Sequence, residues 1–188
     1  MQAAALPIII VYKITVIIIC FSDDTLVKIL DKGKEVIKKV SDIKKDEMAL
    51  VFNGKKKRYA KVIDNKVTEG EFEFYVVKAK SLKDPERKKE LKVTGEHVMI
   101  TFYDKKEYKL VLAKELKGNE IIDTEEGYYQ IYEIGKEFRK NKYMLSVKGG
   151  AVLANGIFVS TICSGNDAKV LKPSLKEWKK FQNEIELN

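Results

Sequence analysis

From Cys20 to Cys163 the chain alternates apolar and polar residues in short runs, cut by Asp-Lys-Gly, Asn-Gly, Glu-Gly and Gly-Gly steps. A period of two sends successive side chains to opposite faces of a strand, whereas a helix needs apolar residues three or four apart. The alternation predicts strands over Thr25–Leu30, Val36–Val40, Ala49–Phe52, Lys57–Asp64, Glu71–Lys80 and Glu90–Val93. Further strands are expected over Val98–Tyr103, Tyr108–Leu112, Tyr128–Ile134, Tyr143–Val147 and Ala151–Cys163. Asn53-Gly54, between two such runs, is a strong hairpin signal. Leu82–Lys89, around Pro85, reads as a charged loop. Helical spacing occurs only in the tail, where Pro173 suits a first helical position and Leu175, Trp178 and Phe181 share one face. The expected class is therefore all-β with one short C-terminal helix.

A length of 188 residues fits one domain with short appendages. Lys and Arg outnumber Asp and Glu by 36 to 28, a net charge of +8, but the lysines are scattered among acids and form no block. That pattern reads as a solvated surface, and no nucleic acid partner is expected. Two cysteines, Cys20 and Cys163, make no disulfide framework and show no metal-ligand spacing, so neither a metal nor another cofactor is expected. One disulfide, two buried thiols or one reactive thiol all stay open.

Residues 1–19 differ from the rest, with Lys13 as their one charge and apolar runs at Pro7–Tyr12 and Ile14–Ile19. They are short for a spanning helix and lack the basic start and small residues of a signal peptide. Two readings stand: a leader that takes the chain to a membrane or to secretion, or an apolar flank that ends at Cys20. The expected organisation is a flank at 1–19, a body at 20–163 and a charged tail at 164–188.

The body carries an internal echo. Residues 30–48 read LDKGKEVIKKVSDIKKDEM, and 73 positions later residues 103–121 read YDKKEYKLVLAKELKGNEI. Strand, Asp-Lys turn, strand and an (Ile/Leu)-Lys-x-x-Glu step recur in order, which points to two duplicated β subdomains about a pseudo-twofold axis.

Three stretches then stand out. Cys20-Phe21-Ser22-Asp23-Asp24-Thr25-Leu26-Val27 sits at the compositional boundary, Thr94-Gly95-Glu96-His97 lies between two strands, and Ala154-Asn155-Gly156-Ile157-Phe158-Val159-Ser160-Thr161 falls in the last strand. In this order they resemble the opening, Thr-x-x-His and closing blocks of the Hint family, the self-processing domains of inteins and hedgehog proteins. The resemblance spans about Cys20 to Cys163 and implies a horseshoe of two β subdomains.

It also implies a reaction. The thiol of Cys20 attacks the carbonyl of the preceding bond, Ile19–Cys20, and replaces an amide by a thioester. A planar, resonance-stabilised amide yields only if the thiol loses its proton, the carbonyl oxygen is stabilised and the leaving nitrogen gains a proton. His97, the sole histidine, is the expected acid for that nitrogen, since its ordinary pKa suits neutral pH. Thr94 is expected to support the scissile peptide. Because the substrate is the chain's own flank, no substrate pocket is required.

The sequence departs from the family in two places. Inteins finish by cyclising a terminal asparagine beside a histidine, but Ser160 and Thr161 stand there, which argues against a full splice. The aspartate that often precedes the closing block falls near Met144. The closing strand looks closer to the hedgehog type, which cleaves only upstream and has a cysteine where this chain has Thr161; Cys163 lies two residues on. The hedgehog base would fall at Asp64, with Val67 and Glu69 as neighbouring alternatives. With a tail of only 25 residues after Cys163, water or a small nucleophile is the expected acyl acceptor rather than a sterol. Two rivals remain: a non-catalytic basic β module tethered by residues 1–19 to a membrane or an anionic partner, and a Hint fold without activity.

Overall fold

The computed structural model describes residues 20–52, 57–102, 108–148 and 151–161. The flank 1–19, the Asn53-Gly54 turn, Cys163 and the tail helix lie outside the described residues. Eleven strands follow in chain order: β1 (Leu26–Asp31), β2 (Lys34–Lys39), β3 (Met48–Phe52), β4 (Lys57–Ser81), β5 (Lys88–Thr94), β6 (Val98–Phe102), β7 (Tyr108–Leu112), β8 (Ile121–Thr124), β9 (Gly127–Val147), β10 (Ala151–Ala154) and β11 (Ile157–Ser160). Single 3-10 turns at Val40–Asp42 and Ala113–Glu115 precede β3 and β8. The all-β expectation holds.

The duplication is written into the pairing. Neighbouring strands run β2-β1-β10-β3-β4-β9-β8-β11-β6-β7, with β5 added on β4. That order is a palindrome in which β1 answers β6, β2 answers β7, β3 answers β8, β4 answers β9 and β10 answers β11. The two 3-10 turns, at Val40 and Ala113, keep the 73-residue offset. The recurring glutamate has a local reason. Lys44 N–H donates to Glu47 Oε2 at 3.0 Å and Lys117 N–H to Glu120 Oε1 at 2.7 Å, so each carboxylate ties down the chain leaving its turn.

Two expectations change in detail. Lys57–Asp64 and Glu71–Lys80 belong to one 25-residue strand, and Tyr128–Ile134 and Tyr143–Val147 to one of 21 residues. The missing links, Asn65–Gly70 and Gly135–Lys142, are mostly polar because this stretch of the β4–β9 ribbon meets water on both faces; Val67 is 50% and Phe138 67% exposed. Cross-strand hydrogen bonding holds them, with bulges after Val62 and Thr68, and burial leaves no alternation to read. The run Ala151–Cys163 also folds differently, turning at Asn155-Gly156 into the hairpin β10–β11. Both turn residues have positive φ, +48° and +75°, as a two-residue hairpin of this hand demands.

That hairpin lies on the pseudo-twofold axis, and both of its strands are buried from end to end. β10 pairs with β1 and β3, and β11 with β6 and β8, which is why its sequence is continuously apolar. The core gathers around it, with Ile29, Val51, Val62, Leu91, Ile122, Ile131 and Leu145 all buried. Asn155 fastens the hairpin at its turn. Its N–H donates to Leu26 O at 2.7 Å, its Oδ1 accepts from Leu26 N–H at 2.7 Å, and its Nδ2 donates to Glu90 O at 2.8 Å. One side chain therefore joins the hairpin to the start of β1 and to β5. Replacing Asn155 by Gly, which tolerates the positive φ, should cost about 1–3 kcal/mol in urea unfolding, the worth of two side-chain hydrogen bonds.

Candidate active site

Residues 20–22 form a short extended segment wedged between β5 and β9. Phe21 N–H donates to Tyr143 O and Tyr143 N–H to Phe21 O, both at 2.9 Å. On the other side, Thr94 N–H donates to Cys20 O at 3.0 Å and Ser22 N–H to Lys92 O at 3.3 Å. Segments 20–22 and 92–94 thus clasp each other antiparallel about Phe21 and Val93.

Each segment then enters the same turn. Thr25 N–H donates to Ser22 O at 3.1 Å, and His97 N–H to Thr94 O at 2.9 Å. The 3-10 turns close on both, Val40 N–H on Thr25 O at 2.7 Å and Ala113 N–H on His97 O at 2.8 Å. Thr-Gly-Glu-His is therefore one of two symmetry-related stations, the other being Ser22-Asp23-Asp24-Thr25, 72 residues earlier. A hydroxyl residue at the first position and an acid at the third were the sequence signal for this pairing, just upstream of the echo.

The first station holds Cys20, Thr94 and His97 together. Cys20 is buried, and its backbone N–H, the nitrogen of the Ile19–Cys20 bond, donates to Thr94 Oγ1 at 3.2 Å. Thr94 thus grips Cys20 twice, by its hydroxyl and by its own N–H. Gly95 is required where it stands, because a Cβ there would lie 2.9 Å from Tyr75 Cε2. Lys114 N–H donates to Gly95 O at 3.0 Å and its Nζ sits 2.6 Å from Glu96 Oε1, so the turn is braced from outside.

His97 is completely buried, with the Phe21 ring edge-on at 4.7 Å between centroids. Burial pushes its pKa down to about 3, while the backbone of Cys20 and of Ser160 beside the ring favours the charged form. Neither nitrogen completes a hydrogen bond of good geometry among the described residues, so burial wins and the resting imidazole is neutral. The ordinary pKa expected for this histidine does not hold in this environment. Ser160 and Thr161, at the end of β11, are buried; Thr161 Oγ1 has no partner among the described residues.

Asp64 is placed differently. Its carboxylate bonds Lys66 Nζ at 3.1 Å and accepts from Asn65 N–H at 2.9 Å, and none of its contacts reaches Cys20, Thr94 or His97. The hydrogen bond from Lys66 holds its pKa below the ordinary aspartate value. Val67 and Glu69 are exposed on the ribbon. Among the described residues no group of three or more His, Cys, Asp and Glu side chains could hold a metal ion, and no helix is long and apolar enough to cross a membrane.

This architecture is the all-β Hint fold of inteins. A mutant of an Ssp DnaB mini-intein variant superposes with a TM-score of 0.61 at 23% identity, over 80% of this chain and 95% of that one. The transcription factor IIB Mvu mini-intein gives 0.60 at 16% identity, over 76% and 99%. The DnaB intein from Synechocystis sp. PCC 6803 gives 0.58 at 22% identity, over 76% and 97%. No protein-family model matches the chain, and no curated protein sequence does.

The buried imidazole has a signature in stability. Its folded pKa, about 3, lies below the ordinary 6.5, so between these values the unfolded chain binds the extra proton and stability falls as pH falls. Wild type should lose up to about 1.4 kcal/mol per pH unit more than His97→Gln between roughly pH 6 and pH 4. Urea midpoints of the two proteins across that range check it.

Proposed function

We propose that this domain cuts its own chain between Ile19 and Cys20 by an N–S acyl shift. The observation that carries the reading is the double hold of Thr94 on Cys20, with His97 on the same turn and its ring against the Cys20 backbone. The neutral imidazole takes the proton of the Cys20 thiol, and the thiolate adds to the Ile19 carbonyl carbon. As the carbon–nitrogen bond breaks, the imidazolium returns that proton to the Cys20 nitrogen, leaving a free amine and a thioester. His97 is thus base first and acid second: burial keeps the ring neutral at rest and makes the imidazolium a strong acid, while the backbone of Cys20 and Ser160 beside the ring favours the charged form that the first step produces. Thr94 Oγ1, by accepting the N–H, orients the scissile amide towards the imidazole. Water or a small thiol then attacks the thioester carbonyl and releases residues 1–19, with Cys20 regaining its thiol. Ser160 and Thr161 offer no asparagine for a second cleavage, so release of the upstream segment is the whole reaction.

A reporter fused ahead of residue 1 tests this. Thiol or hydroxylamine should accelerate its release, and mass spectrometry should place the new end at Ile19. Cys20→Ala should abolish release, and His97→Ala should slow it by about 10²–10⁴, the usual span for a proton-transfer residue. Thr94→Val should slow it about tenfold, one hydrogen bond's worth. A fusion that stays intact under all these conditions removes the reading.

A further inference from the structure

The second station carries a charged cluster that the acyl shift, as described, does not use. Lys92 occupies the place that Cys20 holds at the first station, 72 residues apart. Its Nζ lies 3.2 Å from Asp24 Oδ2, 3.3 Å from Glu137 Oε1 and 3.6 Å from Glu90 Oε1, and its side chain is 15% exposed. Arg139 Nη1 lies 3.1 Å from Asp24 Oδ2 and 3.7 Å from Asp23 Oδ1, and its Nε bonds Glu137. Ser22 Oγ–H donates to the other Asp24 oxygen at 2.5 Å, and Ser22 Oγ is 3.1 Å from Thr25 Oγ1.

Asp24 is the hub: its two oxygens gather Ser22 from its own turn, Lys92 from β5 and Arg139 from β9. These are the two strands between which residues 20–22 are wedged. Three residues separate Asp24 from Cys20, and the intervening Ser22 N–H and Phe21 N–H pair with the same two strands. Any slip of the turn is therefore a slip of Cys20 against Thr94.

We infer that Asp24, clasped by Lys92 and Arg139, is a positioning residue for self-cleavage, setting Cys20 in register with Thr94 and His97 from the opposite station. This rests on the function proposed above. Asp24 touches no reacting atom. It acts by holding the three-residue wedge in one register, where a displacement of the sulfur by an ångström would cost most of the rate.

The test uses the full chain with the upstream reporter, at a temperature where circular dichroism shows every variant folded. Asp24→Asn keeps the shape and the bond to Ser22 but loses the charge; Lys92→Met keeps the stem and loses the ammonium. Each should slow thiol-induced release about tenfold, and the double variant should be no slower than either single one, since both remove one interaction. Asp24→Glu should recover to within about threefold of wild type. Molar salt should slow wild type and leave Asp24→Asn unchanged. A wild-type fusion that never cleaves removes both proposals. If wild type cleaves and Asp24→Asn matches it, or if the two substitutions slow release additively with salt response intact, the positioning role is overturned and the proposed cleavage stands.

Discussion

Everything at this centre depends on three residues, Cys20 to Ser22, lying between two strands that would otherwise part. The segment makes backbone hydrogen bonds to both sides, with Tyr143 on β9 and with Lys92 and Thr94 on β5. Each contributes only about 0.5–1.5 kcal/mol net, but leaving a buried partner unmet costs about 1–3 kcal/mol, so the wedge is far more expensive to remove than to form. Cys20, Phe21 and Ser22 are all buried, which puts the second figure in force. The residue that carries the thiol is therefore held in place through its backbone.

The two stations meet the same steric problem with different physics. At one, hydroxyl and imidazole sit in a sealed apolar setting, where desolvation controls the protonation of His97. At the other, Asp24, Lys92, Glu137 and Arg139 keep their charges at the edge of solvent. Burial opposes the ionised form of Asp24, but hydrogen bonds from Ser22 and Lys92 and the charges of Lys92 and Arg139 outweigh it and hold its pKa below the ordinary value. Exposed ion pairs contribute little singly, so the effect here comes from several partners converging on one half-buried carboxylate.

Much of the fold was legible because burial leaves a period. β1 and β8 show it, and the 73-residue echo follows from turns that need a glutamate at one fixed step. The ribbon between Asn65 and Lys142 was not legible, since a strand wetted on both faces has no reason to alternate. The turn inside Ala151–Cys163 carried its signal, Asn-Gly, but a continuous apolar run hid it. Cys20, Thr94 and His97 were singled out by their resemblance to the Hint blocks, and the fold brings them together. The neutral state of His97 was not legible, because it depends on Phe21 and on the far end of the chain. The ion pairs of Asp24 could not be read, because its partners, Lys92 and Arg139, are distant in sequence and ordinary in kind.

The position of β11 has a consequence for timing. Ser160, at its end, brings its backbone against the His97 ring, and Val159 pairs with Met99 on the strand that begins one residue beyond that histidine. β11 is also the last strand of the described chain to leave a ribosome. Until it docks, the ring is uncovered on that side. The ring is thus enclosed only once β11 has docked, and a chain lacking that strand carries the sulfur and the ring without the enclosure.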